Sequence, residues 1–313
     1  MTKEGVGLIG FGTVGRELAV HLVKANGALG AVDNNPSCAE AMRAVGATPY
    51  GDVAALAAEC DVIILSLPNP AAVRAVLDGP SGVIANAKPG LLIIDTTSSD
   101  PATGTEMARH AGERGIAYVE APISTPVAGV TGPETIRQGD GTFIVGASEE
   151  NFPRAEALLR PMARYIYHIG PVGRGSAMKL VTNYVAGATR IALAEGIALA
   201  AAMGIPAART MEVCGNAAAA SQTLDEAVAR LTGDDPDGVG FAIDLRYKDF
   251  RLANELGRSL GVPMPLGGPI VELYQMMLAK GWGKRDINSI IAFVAELADV
   301  DIDRPESRWP EAQ

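Results

Sequence analysis

The run Gly10-Phe11-Gly12-Thr13-Val14-Gly15 fits G-x-G-x-x-G, with an apolar run before it and a helical pattern after it. Each glycine has a separate duty in a loop that cradles a pyrophosphate. The first permits a tight turn, the second leaves room for phosphate against the backbone, and the third lets helix and strand pack closely. The amides and positive end of the following helix then face the phosphates. Asp33 lies 18 residues past Gly15, at the end of the next apolar run, where a carboxylate can accept both ribose hydroxyls of an adenosine. A carboxylate there repels a 2′-phosphate, and Asn34, Asn35 and Pro36 bring no cation, so NAD is expected over NADP. The plainer readings are an ordinary strand–helix turn and, for Asp33, a helix N-cap. Leu67, Pro68 and Asn69 close a further apolar run and are expected to border the same crevice, with a plain turn as the alternative.

A second segment, 173–183, can carry proton chemistry. Lys179 and Asn183 are four residues apart, which puts them on one helix face one turn apart. Gly173 and Gly175 let a ligand or a second backbone come close. Lys179 is surrounded in sequence by Ala, Leu and Val. Burial and a positive nicotinamide ring would both lower its pKa toward working pH, as a general acid/base needs. The bland alternative is a rim lysine with a buried stem and a solvated ammonium.

These groups need a scaffold. Apolar runs at 6–9, 28–32, 62–67, 91–94, 117–119 and 142–145 are separated by helical stretches such as 15–26 and 36–45. Continuous apolar strands between helices make a parallel sheet covered on both faces, and right-handed crossovers make it doubly wound. The pattern changes near Gly170. Residues 176–203 contain no proline, are apolar on most sides and would form a helix roughly 40 Å long. A buried spine or a subunit contact is the expected reason. Helical patterns follow at 206–214, 223–231, 248–260, 269–280 and 287–297 without a clear strand between them. The expected architecture is an α/β Rossmann-type doubly wound sheet over 1–170 followed by an all-α domain over 171–313, with a homo-oligomer formed through the C-terminal helices.

Composition narrows the partners. The chain has 313 residues, with 26 Lys+Arg against 36 Asp+Glu and a formal net charge of -10. An acidic chain is repelled by phosphate backbones and anionic membranes, so no nucleic acid and no membrane are expected. The start leads straight into a strand pattern and leaves no room for a signal peptide, which suggests a cytoplasmic protein. Three cysteines, Cys38, Cys60 and Cys214, are read as free thiols, and with three scattered histidines no metal site is expected.

Four segments in this order resemble the β-hydroxyacid dehydrogenases, the family of 3-hydroxyisobutyrate dehydrogenase and tartronate semialdehyde reductase. They are Gly7-Leu8-Ile9-Gly10-Phe11-Gly12-Thr13-Val14-Gly15; Asp95-Thr96-Thr97-Ser98-Ser99-Asp100-Pro101; Glu120-Ala121-Pro122-Ile123-Ser124; and the 173–183 segment, similar to G-x-G-x-x-x-K-x-x-N. Lys248-Asp249 is a weaker fifth. The resemblance covers about residues 6–298. It implies NAD-dependent oxidation of a β-hydroxy acid or the reverse reduction, with a 6-phosphogluconate dehydrogenase-like C-terminal domain. Lys179 would be the catalytic acid/base, and Asn183 would bond and orient the substrate. Ser124 and Thr125 would contact the substrate, Ser98 would lie between substrate and cofactor, and Lys248 would close on the cofactor.

Two departures fall where the substrate carboxylate should bind. After Ser124 the family has two glycines, whereas this chain has Thr125 and Pro126, and proline offers no N–H. The stretch before Gly141 is also longer than usual and carries Arg137, a candidate cation for the substrate or a plain loop arginine. A substrate other than 3-hydroxyisobutyrate itself is therefore expected. The alternatives are a non-catalytic dinucleotide-binding scaffold, a 6-phosphogluconate dehydrogenase-like enzyme and an imine reductase-like enzyme. Lys179 speaks against the first and last, and Thr182 in place of a histidine against the second.

Overall fold

The computed structural model describes residues 4–125, 131–232, 238–303 and 306. It comprises two compact units that exchange at Lys179–Leu180, inside one long helix.

The strands of the first unit are β1 (Val6–Ile9), β2 (Gly30–Val32), β3 (Thr48–Pro49), β4 (Val62–Leu65), β5 (Leu92–Asp95), β6 (Ala117–Glu120), β7 (Ile123–Ser124), β8 (Gly141–Gly146) and β9 (Ala163–Gly170). Its helices are α1 (Thr13–Asn26), α2 (Cys38–Ala44), α3 (Val53–Glu59), α4 (Pro70–Leu77), α5 (Val83–Asn86), α6 (Pro101–Gly112), α7 (Gly132–Arg137) and α8 (Phe152–Leu159). The sheet order is β3-β2-β1-β4-β5-β6-β8-β7, and β9 pairs with β8. Pairing is parallel from β3 to β6 and between β8 and β9, and antiparallel where β8 meets β6 and β7. The continuous apolar runs have the cause expected of them. Val62 and Ile64 of β4 enter one core with Leu92 and Ile94 of β5, while Ile63, Leu65 and Ile93 enter a second core. A strand buried on both faces has no polar position to alternate with. Strand β9 is different: Tyr165, Tyr167 and Ile169 are exposed.

The sheet aligns its strand ends. Val32, Ile9, Leu65, Asp95 and Glu120 are successive register partners across β2, β1, β4, β5 and β6. The segments that follow them therefore leave the sheet side by side at its carboxyl edge, where ligands bind in open α/β sheets.

Helices α9 (Arg174–Ala202), α10 (Ala207–Gly215), α11 (Gln222–Thr232), α12 (Ile243–Ser259), α13 (Gly267–Ala279) and α14 (Ser289–Leu297) complete the chain. The second unit has its own core, including Ile197, Met211, Phe250, Tyr274 and Ile291. A Cβ at Gly187 of α9 would lie 2.5 Å from Cζ of Phe250, so this glycine lets α12 pack closely against α9. The ring of Phe250 also meets Tyr184 edge-on, with centroids 5.5 Å apart. Helix α9 is long and apolar enough to cross a membrane by length and composition alone.

Candidate active site

The three glycines of the loop differ in surroundings as their duties require. Gly10 has φ +99, and a Cβ on it would lie 2.2 Å from the Ser66 carbonyl oxygen. A Cβ on Gly15 would lie 2.1 Å from the Gly10 carbonyl oxygen. At Gly12 a Cβ would meet nothing within 4 Å, so the missing side chain leaves open space above the start of α1. That helix start has no side-chain cap and no acidic residue in its first turn. Thr13 is exposed, Val14 is half-buried and Phe11 is fully buried, its ring fixing the loop to the core. The residues present suit a pyrophosphate: open space, a positive helix end and no acidic side chain in the first turn of α1.

Asp33 follows β2 and joins the same loop. Its Oδ2 accepts the Phe11 N–H at 2.6 Å and its Oδ1 accepts the Asn35 N–H at 2.8 Å. Both bonds are to backbone, so they fix the carboxylate while leaving lone pairs for hydroxyl donors. Leu67 follows β4, and its N–H donates to Thr97 Oγ1 at 3.2 Å, linking two of the adjacent segments. Pro68 is exposed. The Asn69 side chain caps α4, accepting the Ala72 N–H at 2.9 Å, with Pro70 in the first turn.

The Asp95–Pro101 motif separates into parts. Asp95 is buried at the end of β5, accepting the Thr97 N–H at 2.9 Å and the Tyr118 hydroxyl at 2.7 Å. Burial raises its pKa against the pull of those bonds. Asp100 caps α6 through the Thr103 N–H and hydroxyl. Ser98 is half-buried between them. Ser124 pairs with Thr142 in the short antiparallel ladder, and Thr125 beside it is half-buried. Pro126 and the following residues through Val130 lie outside the described residues, and with them the expected effect of the missing N–H. The exposed guanidinium of Arg137 donates to Glu17 of α1 at 2.7 and 3.1 Å, so part of its donor capacity is engaged on that helix, which the sequence reading does not include.

Lys179 sits in the second turn of α9 and is buried, at 8% exposure. The start of this helix is held by a residue that the sequence presents only as a motif member. Glu120 Oε2 accepts the N–H of Gly173 at 2.7 Å and of Ser176 at 3.3 Å, and Oε1 accepts the Ser176 hydroxyl at 2.8 Å. Burial pushes Glu120 up to about 7 in spite of these bonds.

In the second unit, Asn183 donates its amide N–H to Asp249 Oδ2 at 2.7 Å. Arg246 donates to the Asn183 carbonyl at 2.8 Å. Asp249 is buried, and Lys248 Nζ lies 3.5 Å from its Oδ1. The place of Asp249 follows from Gly187, one turn beyond Asn183, which admits the neighbouring Phe250. Farther along α9, fully buried Arg190 donates to Asn288 at 2.9 Å and Glu226 at 2.6 Å, which ties this helix into its unit. Glu120 and Asp249 are visible in the sequence only as motif members, with no sign of the partners they hold. Among the described residues no cluster of His, Cys, Asp or Glu suits a metal ion, and Cys38, Cys60 and Cys214 are free thiols.

Comparison with known proteins gives the family of the chain. Residues 5–170 match the family described as NAD binding domain of 6-phosphogluconate dehydrogenase. Residues 173–294 match NAD-binding of NADP-dependent 3-hydroxyisobutyrate dehydrogenase. The chain is 32% identical to 2-(hydroxymethyl)glutarate dehydrogenase of Eubacterium barkeri, over 95% of this chain and 97% of that one. It is 30% identical to human mitochondrial 3-hydroxyisobutyrate dehydrogenase, over 94% and 88%. A solved 3-hydroxyisobutyrate dehydrogenase of Mycobacterium tuberculosis with L-serine superposes with a TM-score of 0.83 at 27% identity, covering 94% of this chain and 99% of that one. A nicotinamide-dinucleotide fold, an all-helical second unit and full-length likeness to hydroxy-acid dehydrogenases lead to one conclusion: the chain belongs to the β-hydroxyacid dehydrogenase family, oxidoreductases that act on the CH–OH group of hydroxy acids.

Proposed function

We propose that the protein oxidises a 2-substituted 3-hydroxypropanoate to its semialdehyde with NAD, or runs the reverse reduction, with Lys179 as the general acid/base. The observation that carries this reading is the buried Lys179 on α9, one helical turn from Asn183, in a chain whose glycine loop and Asp33 suit a dinucleotide. Bound nicotinamide supplies the hydride acceptor. Lys179 takes the alcohol proton as the C–H bond breaks and returns it in the reverse direction. Asn183 orients the reacting oxygen, and Ser124, Thr125 and Ser98 contact the substrate.

The substrate class rests on shared chemistry. The substrates named in the two dehydrogenases, 3-hydroxyisobutyrate and 2-(hydroxymethyl)glutarate, and the L-serine of the solved relative all carry a primary hydroxyl β to a carboxylate. They differ at carbon 2. Thr125 and Pro126 replace small residues of the family at this place, which favours a carbon-2 substituent other than methyl. Asp33 favours NAD over NADP by charge. The acidic chain disfavours nucleic acid and anionic membranes as partners, and the long apolar α9 supports a homo-oligomer.

The test is a panel of 2-substituted 3-hydroxypropanoates, followed by NADH absorbance with NAD and NADP in parallel. Turnover of at least one member with NAD supports the reading. Tight NAD binding with no turnover of any member would make the protein a scaffold.

A further inference from the structure

The carboxyl group of Glu120 is enclosed by glycines from three elements. A Cβ on Gly104 of α6 would lie 2.0 Å from Oε1, one on Gly146 of β8 would lie 2.7 Å from Oε2, and one on Gly175 of α9 would lie 3.3 Å from Oε2. The space is therefore shaped around this side chain. What it accepts is also specific. A helix start leaves its first N–H groups without partners, and a capping box satisfies two of them, those of the N-cap and of the third helical residue. In α9 these are Gly173 and Ser176, and Gly173 has no side chain to serve as a cap. One carboxylate from the end of β6 accepts from both, and from the Ser176 hydroxyl as well.

We propose that Glu120 is a positioning residue, its two oxygens fastening the first turn of α9 to the sheet and so fixing Lys179, three residues beyond Ser176, for proton transfer. This rests on the assignment of Lys179 as the acid/base. Ser176 and Lys179 lie on the same helix face in successive turns, so fraying of the first turn displaces Lys179 directly. Buried Asp95, the register partner of Glu120, and buried Tyr118 face the same region from β5 and β6.

The experiment compares Glu120→Leu with Glu120→Gln. Leucine fills similar space and accepts nothing. Glutamine keeps an acceptor for the two N–H groups and can donate to the Ser176 oxygen. In Glu120→Leu, amide exchange in a peptide spanning 173–177 should accelerate by roughly tenfold. Its kcat should fall by roughly tenfold while the NAD Kd is unchanged. Glu120→Gln should stay near wild type in both. Should Glu120→Leu not fold, Ser176→Ala removes one of the three donors and should change exchange and kcat in the same direction. A folded Glu120→Leu, or a folded Ser176→Ala in its place, with wild-type exchange overturns the anchoring. Faster exchange with unchanged kcat overturns the positioning role, as does an equal loss of kcat in Gln and Leu. If wild type oxidises no hydroxy acid, the proposed function fails on its own, and the exchange comparison still decides whether Glu120 holds the helix.

Discussion

Asn183 points its amide nitrogen at Asp249, 2.7 Å from Oδ2, and that bond settles which atom of Asn183 is left to act. An ionised carboxylate can only accept, so the nitrogen must face Asp249 and the amide oxygen lies on the other branch. In the proposed reaction that oxygen is the atom of Asn183 that would accept from the substrate hydroxyl. In Asp249→Ala the amide is free to turn. The KM for the hydroxy acid should rise roughly tenfold with NAD affinity unchanged, and Asp249→Asn should recover part of the loss. Steady-state kinetics decide it, and an unchanged KM in Asp249→Ala would separate Asp249 from substrate orientation.

Asp33 predicts cofactor preference. On the proposed reading, Asp33→Ala removes the charge that opposes a 2′-phosphate and the acceptors for two ribose hydroxyls. The ratio of kcat/KM for NAD over NADP should fall by roughly tenfold or more. An unchanged ratio would take Asp33 away from the ribose.

Glu120 predicts a pH dependence of stability. It ionises near 4.5 when unperturbed and is pushed up to about 7 by burial in the folded protein. Between these values the folded state holds a proton that the unfolded chain has lost. The stability from this group is complete below about 4.5 and declines as pH rises toward about 7, by at most about 3 kcal/mol. Urea unfolding at pH 5 and pH 8 should show a smaller decline in Glu120→Gln than in wild type. Some decline should persist, because burial raises Asp95 in the same direction. Equal declines in the two proteins would mean that Glu120 titrates alike folded and unfolded.

Gly104 predicts a packing cost. The added methyl of Gly104→Ala would stand 2.0 Å from Glu120 Oε1, so α6 or the carboxyl must move. The expected loss is about 1–3 kcal/mol, read as a lower midpoint in chemical denaturation. An unaltered midpoint would show that the carboxyl is not confined there.

Much of this was legible in the residue order, for physical reasons that also mark where it stopped. Strands β4 and β5 are buried on both faces, so they print as unbroken apolar runs. The glycine loop is legible because its three positions have different steric needs. Strand β9 leaves no such print, since Tyr165, Tyr167 and Ile169 are exposed and the run Ala163–Gly170 resembles no buried strand. Glu120 was visible as a motif member, but its partners lie 53 and 56 residues away and are adjacent only once β6 and α9 have formed. Asp249 is met by Asn183 across 66 residues, again through packing. For Arg137, nothing in its own segment reveals Glu17, 120 residues earlier.

The most direct measurement is a single-turnover and steady-state comparison of wild type with Lys179→Ala on whichever 3-hydroxypropanoate the wild type oxidises, alongside NAD binding by titration. The account predicts a fall in kcat of roughly 10³-fold with NAD affinity retained. Turnover in Lys179→Ala close to that of wild type would contradict it.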